Sequence, residues 1–160
     1  MVTLFPMPAN GNRPKDEDDA AEDGALGPVL ARAEAAIADL AKDYSTWALA
    51  DVAKGRATLA AAEADVANRA AHMETLFRVG HDLKGQGSSF GYPLITKLGH
   101  SLCALTRARD LTYEARHLDL AKSHLDAMQL VLTKEIKGEG GQVGAELAAK
   151  LVARVDEILA

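Results

Sequence analysis

The stretch that most constrains this chain runs from His81 to Gly91 and reads HDLKGQGSSFG, rich in glycine yet set inside an apolar helical pattern. Glycine in a helix interior costs on the order of 1 kcal/mol relative to alanine, and Gly80, Gly85 and Gly87 all precede Gly91. Wound at about 100° per residue from His81, the side chains of Val79, Leu83 and Phe90 fall at roughly 160° to 200°, flanked by Leu76 and Gly87. One side of the helix is therefore apolar, and His81 points away from it. Gly80 and Gly87 lie toward the inward side, where a missing side chain lets a neighbouring helix approach closely. Gly85 does not. It lies beside His81 on the outward face, so packing does not explain it, and space is kept open for something that approaches the imidazole.

Residues three and four apart are neighbours on a helix surface, which sets Lys84 and Gly85 one turn beyond His81 and Phe77 and Arg78 one turn before it. A neutral imidazole is a good nucleophile at physiological pH, and a phosphoryl group attached to it would bring nearly two negative charges. Lys84 is spaced to pair with that charge. The residues His81, Leu83, Lys84, Gly85 and Gly91 resemble the signature of histidine phosphotransfer (HPt) domains, the four-helix relay modules of two-component phosphorelays. The resemblance is specific in this stretch and extends more loosely from about residue 29 to about residue 135.

The resemblance implies an all-α fold, an antiparallel four-helix bundle, to which this chain adds a C-terminal helix. It implies that His81 Nε2 takes a phosphoryl group from the aspartyl phosphate of one response-regulator receiver and passes it to another. Lys84 would stabilise the phosphoryl charge and Gly85 would clear the approach. Phe77, Arg78 and Ser88 border the histidine. Phe77 either folds back onto the first helix or forms part of a docking patch for a receiver, and Arg78 and Ser88 either touch the phosphoryl oxygens or stay solvated. The implied partners are receiver domains and a hybrid histidine kinase. No cofactor is expected on this chain, the Mg²⁺ belonging to the receiver, and family members of this kind are often monomers. Many members place a glutamine or glutamate 22 residues after the histidine to orient the imidazole, whereas Cys103 stands there in this sequence. A thiol is a poor substitute, which leaves Gln86, His100 or a water to hold the second nitrogen. Asp82 is turned about 100° from His81, which gives little support to a direct base role.

Composition and charge narrow the alternatives. Residues 1–24 hold three prolines and an acidic run beginning at Asp16, with two basic and six acidic side chains, while residues 25–160 hold 16 basic and 17 acidic. The acidity belongs to the N-terminal segment, read as a disordered tail ahead of a helical bundle at 25–160. The nearly neutral remainder argues against nucleic-acid binding, which needs clustered lysine and arginine. The single cysteine excludes an internal disulfide and fits a reducing compartment. With no apolar run of membrane-spanning length and no signal-peptide core, a cytoplasmic protein without membrane attachment is expected.

Along the chain, Pro28 suits the first turn of a helix whose inner face reads Leu30, Ala33, Ile37, Leu40, Tyr44 and Trp47. The pattern resumes after Gly55 as Leu59, Ala62 and Val66 on a changed face, favouring one long helix over a break near Lys54. Asn68 is a candidate cap for a helix over about residues 69 to 89 that carries His81. Tyr92 and Pro93 open the next helix, with Ile95, Leu98, Gly99, Leu102 and Leu105 inward. After a break at Asp110 to Thr112, Leu118, Ala121, Leu125, Met128 and Leu132 form a bundle seam. Gly138, Gly140 and Gly141 end it, and a last helix turns Leu147, Leu151, Val155 and Ile158 inward.

Three competing chemistries fare worse. No GxxxxGKS loop is present, so self-phosphorylation from ATP is not expected and the chain reads as a phosphocarrier, not an enzyme. Glu114 and His117 form one Glu-x-x-His pair, but bundle metal sites need two, and His117 and His124 are expected at partly exposed bundle positions. A helical adapter that binds response regulators without carrying phosphate remains as the alternative, against which the open space at Gly85 argues.

Overall fold

The computed structural model describes the backbone of residues 18–160 and the side chains from residue 24 onward. Among the described residues five α-helices follow in order: α1 (Asp18–Ala64), α2 (Arg69–Gly87), α3 (Pro93–Thr106), α4 (Ala115–Thr133) and α5 (Gly141–Leu159). Short 3₁₀ turns at Val66–Asn68 and Ser88–Phe90 flank α2, and the described residues contain no strand. The described residues divide into two units at Asp39 and Leu40, and the buried core lies wholly within the second.

That core follows from the apolar periodicity. From α3, Ile95, Leu98, Leu102 and Leu105 are buried, and from α4 every expected seam residue, Leu118, Ala121, Leu125, Met128 and Leu132, is buried as well. α5 packs on α3 and α4 through Ala148, Leu151 and Val155, while Leu147 is 39% exposed. The favoured reading of one long first helix holds, since α1 runs unbroken through Gly55. There a side chain would lie 3.0 Å from Leu125 and 3.4 Å from Leu76 and Val79, so the glycine lets α1 sit close to α2 and α4.

Several expectations are corrected. Residues 18–24 of the expected tail are already helical, and the rest of that segment, residues 1–17, lies outside the described residues. Pro28 is inside α1 and does not open it; the alanines and acidic residues upstream favour a helix start earlier in the sequence. Of the inner face read for this helix only Tyr44 is buried, at 1% exposure, whereas Leu30, Ile37, Leu40 and Trp47 stand 46 to 59% exposed. The buried line on α1 starts at Tyr44 and runs through Ala48, Val52, Leu59 and Ala62, and Val66 is exposed. Asn68 makes no side-chain capping bond at the start of α2. Its backbone N–H and its amide instead donate to the Asp65 carboxylate, which caps the 3₁₀ turn.

His117 and His124 are buried, at 1% and 0% exposure, contrary to the partly exposed positions expected. Each is held by hydrogen bonds that a spacing argument does not reveal. His117 Nδ1 accepts from the Glu114 N–H at 2.9 Å as part of the cap of α4. His124 Nδ1 lies 2.7 Å from the Leu120 carbonyl oxygen, which only accepts, so Nδ1 bears the proton and Nε2 accepts from the Ser101 hydroxyl at 2.9 Å.

Candidate functional site

α2 is fixed against α3 by a crossing of unusual closeness, and this sets where His81 points. A methyl group on Gly99 would come within 2.9 Å of both N and Cβ of Lys84 and within 3.0 Å of the Gly80 oxygen. One on Gly87 would come within 2.8 Å of Thr96 Oγ1 and 2.9 Å of the Thr96 nitrogen and the Tyr92 oxygen. The inward glycines thus serve helix approach, as their place on the helix implied. Thr96 then ties the end of α2: its hydroxyl donates to the Lys84 carbonyl at 3.2 Å and accepts from the Ser88 N–H and the Ser88 hydroxyl, both at 2.9 Å. Gly91 follows at φ 85°, a left-handed conformation that glycine adopts without strain, and the chain turns into Pro93 at the first position of α3.

With its inner face so held, α2 presents His81 to solvent. The imidazole is 66% exposed, and among the described residues it makes no hydrogen bond. Its Nδ1 lies 3.9 Å from Asp82 Oδ1, beyond hydrogen-bond reach. The Phe77 ring lies beside it, centroids 6.0 Å apart and tilted by 37°. At Gly85 a side chain would meet nothing within 4 Å. Neither packing nor backbone conformation calls for glycine there.

The other sequence-derived candidates divide. Lys84 is half-buried one turn on, its stem against Gly99. Arg78 is exposed and pairs across one turn with Glu74 at 3.4 Å, a surface pair of little energetic weight. Ser88 spends its hydroxyl on Thr96. Phe77 is half-buried and lines a groove with Glu74, Arg107, Arg109 and Tyr113. Gln86 and His100 are exposed and make no hydrogen bond to His81. Cys103 is buried, its thiol donating to the Phe77 carbonyl at 3.7 Å; burial pushes its pKa up, against the lowering effect of Lys84 and Arg107. The thiol therefore props α2 from behind the histidine and leaves the ring alone.

Two contributors were not visible in the sequence. Thr96 was an unremarked polar residue on α3, and only the helix crossing gives it a role. Asp51 on α1 has its pKa raised, first by burial and then by the charge of Asp82. Among the described residues no three of His, Cys, Asp and Glu come together in a metal-holding group, and no helix is long and apolar enough to cross a membrane.

The His81 imidazole is thus exposed and unbonded among the described residues, with free space one turn away at Gly85. A family model for the Hpt domain matches residues 43–131, more than half of the chain, whereas no curated protein and no solved structure matches. The matched span takes in the buried part of α1, all of α2 and α3 and nearly all of α4, so α5 lies beyond it. The chain belongs to the Hpt domain family, whose helical bundles carry phosphoryl groups on histidine in phosphorelays.

Proposed function

We propose that His81 is the phosphoryl-carrying residue and that the chain shuttles the group between receiver domains. The observation that carries this reading is the pairing of a 66% exposed imidazole with the open space at Gly85. In the forward step the lone pair of His81 Nε2 attacks phosphorus of a receiver's aspartyl phosphate. A P–N bond forms, the P–O bond to the aspartate breaks, and the aspartate leaves as a carboxylate. The ring then carries the phosphoryl group on Nε2 and its proton on Nδ1, the nitrogen nearer Asp82. Delivery to a second receiver reverses these bonds.

Lys84 contributes charge near the transferred oxygens, and Gly85 admits the receiver's acidic pocket with its Mg²⁺, which belongs to the partner. Phe77 offers an apolar edge for docking, with Arg78 and Ser88 on its border. Little catalytic machinery is required of this chain, because the receiver supplies most of the active site around an in-line displacement.

Mixing the chain with a panel of phosphorylated receiver domains and measuring intact mass under non-acidic conditions tests the reading. A single phosphoryl adduct appearing as a receiver loses its own is the expected result. Stable complexes with receivers but no adduct would replace it with the adapter reading.

A further inference from the structure

The N-terminal half of α1 carries an apolar stripe that the described residues leave bare. Leu26, Leu30 and Ile37 are 51%, 57% and 59% exposed, with Val29 beside them at 56%. Leu26, Leu30, Ala33 and Ile37 succeed one another at spacings of four, three and four, and in sequence the alternation continues through Leu40, Tyr44 and Trp47. From Leu26 to Leu40 that is two heptads of the 3.5-residue repeat that holds a single seam along a supercoiled helix, and at Tyr44 the line turns into the chain's own core. At about 100° per residue Arg32, Asp39 and Lys42 fall on the far side, so the seam itself is uncharged.

We propose that this stripe is the seam of a homodimer, in which a second copy of the chain lays the same stripe against it as a two-stranded coiled coil. A heptad seam is self-complementary: its knobs fit the holes of an identical helix related by a two-fold axis. A helix segment of this length is marginal in water unless an apolar face is buried, and α1 is helical from Asp18. The area agrees as well. At about half exposure each large apolar side chain offers on the order of 90 Å², so Leu26, Val29, Leu30, Ile37 and Leu40 of two copies bury about 900 Å², near the roughly 1,000 Å² that a specific interface must clear. The stem of Glu34 and the flanking Ala33, Ala36 and Ala41 add the remainder. The family resemblance implied a monomer, and the bare seam is the feature that departs from it.

Sedimentation equilibrium on the full chain from about 1 to about 100 micromolar tests the dimer, with a Leu30→Lys/Ile37→Lys variant and a far-side Lys42→Glu control. Native chain and control are expected at twice the mass of one chain and the seam variant at one, with the thermal transition of the bundle retained. A native chain that stays monomeric throughout overturns the proposal, as does a seam variant that dimerises like the native chain. The seam variant is also expected to accept phosphate on His81. Failure of phosphate acceptance in the native chain would count against the carrier reading and leave the dimer untouched.

Discussion

Gly99 and Gly85 respond in opposite directions to the same added methyl group. Both lie in helices, so alanine gains each about 0.5–1 kcal/mol of helix propensity. At Gly85 nothing opposes the gain, because the space is empty to 4 Å. At Gly99 the methyl would lie 2.9 Å from Lys84 N and Cβ and 3.0 Å from the Gly80 oxygen, against about 3.5–4.0 Å for an ordinary contact. Two of those atoms are backbone, so α2 and α3 must separate by about 0.6–1 Å, and overpacking of this kind costs about 1–3 kcal/mol. Gly99→Ala should therefore lose about 1–2 kcal/mol net and melt about 3–8 °C lower, while Gly85→Ala should melt about 1–4 °C higher. Urea unfolding followed by circular dichroism, at one protein concentration, measures both. A Gly99→Ala chain as stable as the native one would refute the close crossing that aims His81 outward.

Other consequences are independent of that crossing. Gly85→Gln should fold normally, since its side chain enters solvent, yet slow transfer from a receiver at least tenfold; unimpaired transfer would remove the steric explanation of this glycine. Burial lowers the pKa of both His117 and His124 from 6.5. The unfolded chain then takes up protons first as pH falls below about 6.5, so stability is full above that value and declines below it by up to about 1.4 kcal/mol per pH unit for each ring. Urea midpoints that stay level between about pH 7.5 and about pH 5.5 would contradict this. The Cys103 thiol, buried and with its pKa raised, should resist alkylation in the native chain and react once urea unfolds it; rapid native labelling would show that α2 and α3 part readily.

How much of this was legible beforehand depended on where each residue finds its partner. The faces of α3 and α4 were readable because a helix buried on one side writes its period into the sequence, and Leu118 to Leu132 answer to nothing beyond that. Gly80, Gly85 and Gly87 were separable for the same reason, since angle around one helix decides which is inward. The period of α1 was equally clear, yet Leu30 to Leu40 turned out bare. Periodicity announces a face to be covered and does not say that the same chain covers it. His124 was misjudged because its partner, Ser101, is 23 residues away on another helix, and a polar residue looks solvated until such a partner is known. Thr96 escaped notice likewise: its three hydrogen bonds exist only where α3 crosses the end of α2.

The central claim, that one particular histidine carries the phosphoryl group, is tested most directly by phosphorus NMR of the chain after transfer from a phosphorylated receiver. His100 is also exposed and serves as the control, whereas His117 and His124 are buried. The account predicts a phosphohistidine resonance in the native chain and in His100→Gln, and its absence in a folded His81→Gln variant. A resonance that survives in His81→Gln, or vanishes only in His100→Gln, would contradict it.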